Sequence, residues 1–164
     1  DQTVVGGAAE DLEALVAYVK DQYQTRATVL NVEGAFHTHL MVTAAEKFRP
    51  FLEAAQFHAP RFDVLSNYTG AYHPPDPAVI RANLFFQIFY PVRWIWGMQR
   101  ALADGAGTIV EFGGGIGWGD PPAEKRANLA GITAKAAKSA QREVVYLPAI
   151  NVETLRAAAR ALAG

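Results

Sequence analysis

The sequence predicts an α/β fold with parallel strands. Short β-branched runs alternate with longer segments of helical period, turn-forming residues follow the runs, and a hydrophobic share of 51% over 164 residues suits a packed domain.

Taken in order, residues 3–7 are a β-branched run closed by Gly6 and Gly7, and residues 8–24 carry Leu12, Leu15, Val16 and Val19 at three- and four-residue spacing. That pattern is strand, turn, helix. Residues 27–32 are β-rich again, and Gly34 and Ala35 let the backbone turn before Phe36 and His37. A helix is expected over 38–57, with Leu40, Met41, Ala44, Ala45, Phe48, Phe51, Leu52 and Ala55 as its buried stripe, so His37 falls at a strand-to-helix junction.

A third strand is expected over 62–66, ended by the turn chemistry of Asn67, Tyr68, Thr69 and Gly70. Asp76 or Pro77 opens the next helix, and Pro91 breaks the segment 78–103 into a helix ending near Phe89 and another starting near Val92. Residues 108–112 read as a short buried strand, 123–139 as a helix, 143–147 as a last strand and 152–162 as a terminal helix. The rings of Phe85, Phe86, Phe89, Trp94 and Trp96 read as core.

Composition removes several classes of function. Fifteen Lys and Arg against 16 Asp and Glu leave a net charge of −1, so no positive excess is available to displace counterions from nucleic acid. The most apolar stretch, 83–98, contains Gln87, Pro91 and Arg93 and is too short and too polar to span a bilayer, so no membrane is expected. Cysteine is absent, which removes disulfides and thiol nucleophiles and fits a cytoplasmic location. The chain opens at Asp1 as though a strand were already under way, which predicts a fragment or a processed chain.

His37 is the most informative single residue. A neutral imidazole at a strand end, beside small residues, is able to accept a proton from a nucleophile on a neighbouring loop. A histidine there also serves as a hydrogen-bonded structural residue, and the local pattern leaves both readings open.

Four motifs in order point further. The run Val32-Glu33-Gly34-Ala35-Phe36-His37-Thr38-His39-Leu40-Met41, then Val64-Leu65-Ser66-Asn67-Tyr68-Thr69-Gly70, then Gln87-Ile88-Phe89-Tyr90-Pro91-Val92-Arg93-Trp94, then Glu111-Phe112-Gly113-Gly114-Gly115 resemble segments of malonyl-CoA:acyl-carrier-protein transacylases and of polyketide synthase acyltransferase domains. The resemblance implies the C-terminal half of such an enzyme. Residues 1–37 would be the C-terminal part of a ferredoxin-like subdomain ending at the histidine. Residues 38–164 would be the C-terminal part of a hydrolase-like parallel-sheet core, with an extension from about 118.

The chemistry so implied is ping-pong acyl transfer from malonyl-CoA, through an acyl-serine, to the phosphopantetheine thiol of an acyl carrier protein. His37 would be the base, and the backbone carbonyl of Gln87 would orient it. Phe36 would narrow the pocket for malonyl, with Gly34 and Asn67 as further substrate-binding positions. No cofactor is implied, since malonyl-CoA is a substrate and phosphopantetheine is carried by the partner. The implied partners are the carrier protein and the N-terminal half as a second chain.

The chain holds no Gly-x-Ser-x-Gly nucleophile elbow, and Ser66 and Ser139 lie in other contexts. In the family the serine, the carboxylate-binding arginine and the oxyanion loop precede the matched region. Two other functions stay open at this point: an acyl hydrolase of the same fold, and a noncatalytic module that docks carrier protein.

The glycine run 113–119 does not fit a phosphate cradle, because the third glycine position of Gly-x-Gly-x-x-Gly falls on Trp118 and no Lys-Ser pair follows; a turn is expected. His37 and His39 lack partners for a metal set, with His58 and His73 in unrelated segments, so no metal is expected.

Overall fold

Asp76 sets one element boundary by local chemistry alone. Its carboxylate accepts the N–H groups of Ala78 at 2.8 Å and Val79 at 3.4 Å, while Pro77 takes the first helical position, where a missing N–H costs nothing. The computed structural model describes residues 3–117 and 124–164. Within them the order is α1 (Ala9–Tyr23), a 3-10 turn (His39–Met41), α2 (Val42–Ala54), α3 (Pro77–Phe86), α4 (Trp94–Ala103), β1 (Thr108–Phe112), α5 (Ala130–Ser139), β2 (Val145–Ala149) and α6 (Val152–Ala163). The chain divides into two compact units, Thr3–Gly97 and Met98–Gly164.

In the unit Met98–Gly164, β1 and β2 pair in parallel, in register from Thr108 opposite Val145 to Phe112 opposite Ala149. The chain between them contains α5, the crossover that parallel strands require. The fold is α/β, as the alternation of strand and helix predicts. Leu102, Thr133, Ala136, Ala137, Ala149, Ile150 and Ala158 are buried. Asn151 and Thr154 cap α6 reciprocally, each side chain taking the other's backbone N–H at 2.9 and 3.0 Å.

Gly115 closes the turn after β1 at φ +66°, where a Cβ would stand 2.8 Å from the Arg126 carbonyl and 2.9 Å from Ile150. Ile116 and Arg126 form an antiparallel bridge there, so the first part of the glycine run is a paired turn. The start of the expected extension at 118, the remainder of the glycine run and the expected helix start at Ala123 lie outside the described residues. The helix itself is Ala130–Ser139.

In the unit Thr3–Gly97, α2 lies against α3. Arg81 of α3 donates to the terminal carbonyls of α2, Leu52 at 3.0 Å and Ala55 at 3.4 Å, satisfying acceptors that a helix end leaves free. Ala45, Leu52, Ile80 and Asn83 are buried. Residues 64–73 turn back on themselves through Ser66 N–H to Ala71 O, Gly70 N–H to Ser66 O and His73 N–H to Val64 O, each 2.8 Å.

Several expectations need correction. Residues 3–7 and 27–32 form neither strand nor helix, and 62–66 contributes a single bridge, Leu65 to Tyr72. A β-branched run becomes a strand only when another strand takes its backbone groups, and among the described residues none lies beside Val4, Val5, Val29, Leu30 or Val32, all exposed. The helix expected over 38–57 is the 3-10 turn followed by α2. Of its predicted stripe only Ala45 and Leu52 are buried, while Phe48 and Phe51 are exposed. Trp96 is exposed as well, with the Arg93 guanidinium 4.3 Å over its ring, so it is not core.

Candidate active site

The end of α3 supplies two backbone acceptors. A continuing helix would use the Gln87 carbonyl for the N–H of residue 91, but residue 91 is proline and has none. The helical hydrogen bonding stops with Gln87 N–H on the Asn83 carbonyl at 3.0 Å and Tyr90 N–H on the Phe86 carbonyl at 3.0 Å. The carbonyls of Gln87 and Ile88 face His37 instead. The His37 backbone N–H donates to Ile88 O at 3.1 Å, and ring Nδ1 lies 2.7 Å from Gln87 O. A carbonyl only accepts, so Nδ1 carries a proton, and in the neutral ring that leaves the lone pair on Nε2.

The turn holding His37 has its own locks. His37 sits at φ +63°, a left-handed conformation in which histidine is enriched among residues with a side chain. Thr38 Oγ1 donates to Ala35 O at 2.7 Å and accepts Leu40 N–H at 3.3 Å, closing the turn on both sides. A ring of aromatics grips the last turn of α3. Tyr68 stacks on Phe86 with centroids 5.4 Å apart and meets Tyr90 edge-on at 5.2 Å, while Phe85 meets Phe89 at 5.4 Å.

The structure therefore brings His37 and Gln87 together and sets Phe36 and Gly34 in the same turn. The Phe36 ring is 54% exposed, and its Cε2 and Cζ lie 3.7 Å from where a Cβ on Gly34 would stand. Asn67 contributes its backbone carbonyl to Arg93 N–H at 2.8 Å, which ties the hairpin turn to the start of α4. Ser66 is buried, and its Oγ accepts the Thr69 N–H at 3.3 Å, so it is occupied in the turn. Ser139 ends α5.

Two features escaped sequence reasoning. Asn83, 8% exposed, donates from Nδ2 to His73 Nδ1 at 3.2 Å, and burial lowers the pKa of His73. A lone amide on the apolar α3 was the available signal. Glu111, within β1, accepts Asn128 N–H and Leu129 N–H, each at 2.8 Å, and the Tyr146 hydroxyl. Burial pushes its pKa up, but these three donors outweigh burial and hold it below the usual carboxylate range. Among the described residues, no three of His, Asp and Glu cluster as a metal ion would require, and no helix is long and apolar enough to cross a membrane.

No family model matches the chain. It is 33% identical over 114 residues to the malonyl CoA-acyl carrier protein transacylase of Bacillus subtilis, a match covering 70% of this chain and 36% of that protein. The acyl-carrier-protein S-malonyltransferase of Burkholderia pseudomallei matches in structure with a TM-score of 0.75 at 25% identity, covering 94% of this chain and 45% of that one. The chain is a homologue of a C-terminal portion of these transacylases. The chain is also 30% identical over 117 residues to the polyketide biosynthesis protein ThaF of Burkholderia thailandensis, covering 66% of this chain and 10% of that protein. It shares its fold, with a TM-score of 0.78, with a malonyl-transacylase solved in complex with a type II polyketide synthase acyl-carrier protein. The match spans 36% of the Bacillus subtilis protein and 45% of the Burkholderia pseudomallei one, less than half of each.

Proposed function

We propose that this chain supplies the base and part of the acyl pocket of an acyltransferase that moves a malonyl group from coenzyme A to the phosphopantetheine thiol of an acyl carrier protein. The observation that carries the reading is the 2.7 Å contact of His37 Nδ1 with Gln87 O, which leaves Nε2 as a proton acceptor on an exposed imidazole. In this reading the nucleophilic serine and the carboxylate-binding arginine belong to a portion of the enzyme outside this sequence.

The steps balance through one proton carrier. Nε2 takes the serine proton as Oγ attacks the malonyl thioester carbonyl; the tetrahedral adduct collapses to the acyl-serine, and the coenzyme A thiolate leaves with the proton from Nε2. In the second half the carrier thiol gives its proton to Nε2, its thiolate attacks the acyl-serine ester, and the serine oxygen is reprotonated as it leaves. The Gln87 carbonyl holds the imidazole in one tautomer and stabilises the imidazolium formed in each half, the role a carboxylate plays in a triad. No cofactor enters.

The same reading assigns residues 1–37 to a ferredoxin-like subdomain and 38–164 to a hydrolase-like core in a cytoplasmic enzyme. It also makes the serine-bearing portion a second partner besides the carrier protein. The exposed apolar side chains of Val4, Val29, Leu30, Val32 and Phe51 support that, since such surface is usually covered. The isolated chain should self-associate on size exclusion and become a defined complex when the serine-bearing portion is added; a stable compact monomer would count against the second partner.

The deciding experiment is His37→Ala in the enzyme assembled with its serine-bearing portion, read as malonyl transfer to carrier protein. A fall of about 10²–10⁴ is expected. Near-normal transfer would remove His37 as the base.

A further inference from the structure

Behind the two carbonyls that face His37 stands a second polar contact. Asn83 lies one helical turn before Gln87, and its backbone carbonyl takes the Gln87 N–H at 3.0 Å. Its side chain is buried and donates to His73 Nδ1 at 3.2 Å. His73 is in turn fixed to the hairpin by its N–H on Val64 O at 2.8 Å. The last turn of α3 is thus held at Asn83 by the hairpin, and the next turn of chain presents Gln87 O and Ile88 O to His37.

We infer that Asn83 and His73 are positioning residues that hold the end of α3 in the orientation from which the Gln87 carbonyl selects the Nδ1–H tautomer of His37. The inference rests on the reading of His37 as the base. Asn83 touches neither His37 nor any substrate atom in this arrangement; it acts through the backbone of one helical turn. Removing its side-chain donor leaves the aromatic grip of Tyr68, Phe86 and Tyr90 in place. The helix therefore persists while its terminal carbonyls lose their fixed direction. The two imidazoles consequently hold opposite tautomers: Nδ1–H in His37, which faces an acceptor, and Nε2–H in His73, whose Nδ1 faces a donor.

The test is the tautomer of each imidazole in the chain assembled with its serine-bearing portion, read by two-bond ¹⁵N–¹H correlation above the titration range of histidine. The wild-type chain should show His37 with Nδ1 protonated. Asn83→Ala and, independently, His73→Ala should shift the His37 nitrogens toward the averaged values of a free imidazole, with unchanged far-UV circular dichroism. His73→Gln, which offers a carbonyl oxygen to the Asn83 amide, should restore the wild-type pattern. A His37 tautomer unmoved in both alanine variants would overturn the inference. So would a shift in His73→Ala that the glutamine variant fails to rescue. If Asn83→Ala unfolds, the His73 pair decides, because His73 is partly exposed and its side chain is not core. None of these readouts requires turnover, so failure here is distinct from failure of His37→Ala to lower transfer.

Discussion

His37 Nδ1 and the carbonyl oxygen of Gln87 lie 2.7 Å apart across 50 residues of sequence. The acceptor is available because Pro91 has no N–H with which to continue α3, and the donor is aimed because the His37 turn is locked by Thr38. The first prediction follows from the acceptor being main chain. Gln87→Ala keeps the carbonyl and should leave transfer within a few-fold of wild type. Pro91→Ala restores a competing N–H and should lower kcat by up to about tenfold, the worth of one ordinary hydrogen bond. Steady-state kinetics of the assembled enzyme distinguishes the two, and a severe loss in Gln87→Ala would point to a side-chain role instead.

Phe36 lies beside His37, half exposed, with its ring edge against Gly34. Replacing it by serine should open space for one additional methyl group on the substrate. Discrimination against a methyl amounts to about 1–3 kcal/mol in such pockets, so the ratio of methylmalonyl to malonyl use should rise by roughly 10-fold or more. Competition assays with both thioesters measure the ratio directly; an unchanged ratio would leave Phe36 a packing residue.

Gly70 joins the hairpin to α4 at φ +70°, and a Cβ there would meet Trp96 Cβ at 2.7 Å and Arg93 Cβ at 3.2 Å. Backbone strain and overlap act together, and neither neighbour is the free end of a flexible chain. Gly70→Ala should cost about 1–3 kcal/mol in urea unfolding of the chain. Gly105→Ala, at φ +98° with nothing within 4 Å, pays the conformational term alone and should cost less.

Glu111 gives stability a pH dependence whose sign can be worked out. Its pKa is lower folded than unfolded, so in acid the unfolded chain binds the extra proton. The stability it contributes is complete above its unfolded pKa of about 4.3 and is lost as pH falls through the lower folded value. Tyr146 runs the other way. Burial, then the Glu111 carboxylate, push its pKa to about 12, so its contribution is present below about pH 10 and is lost as pH rises toward 12. Glu111→Gln should flatten the acid limb and cost about 1–3 kcal/mol at neutral pH, since two backbone donors lose their charged acceptor. Melting temperatures between pH 3 and 7 for both chains measure it, and parallel curves would refute the assignment.

How much of this was readable without coordinates depends on the range of the cause. Asp76 and Pro77 start α3, and Asn151 with Thr154 starts α6, through contacts within four residues, and the pattern predicts both helices closely. The parallel pairing of β1 with β2 follows from strand, helix, strand. The runs at 3–7 and 27–32 failed as strands because strand formation is decided by a neighbour that a β-branched pattern does not contain. The buried stripe of α2 failed for the same reason: amphipathic spacing marks a face that can be covered, and Phe48 and Phe51 are exposed among the described residues.

The sequence by itself determined the α/β alternation, the helix start at Asp76 and Pro77, the break at Pro91 and the four motifs that place this chain beside a C-terminal portion of the transacylases. The tertiary structure alone decided that Asn83 ties α3 to His73, and that the Glu111 carboxylate receives Asn128, Leu129 and Tyr146. Caps and proline breaks arise from groups a few bonds apart. The pairing of an isolated buried amide or carboxylate depends on which donors and acceptors the folded backbone brings within 3 Å or so, and residues ten to 35 apart acquire that proximity only when the chain folds.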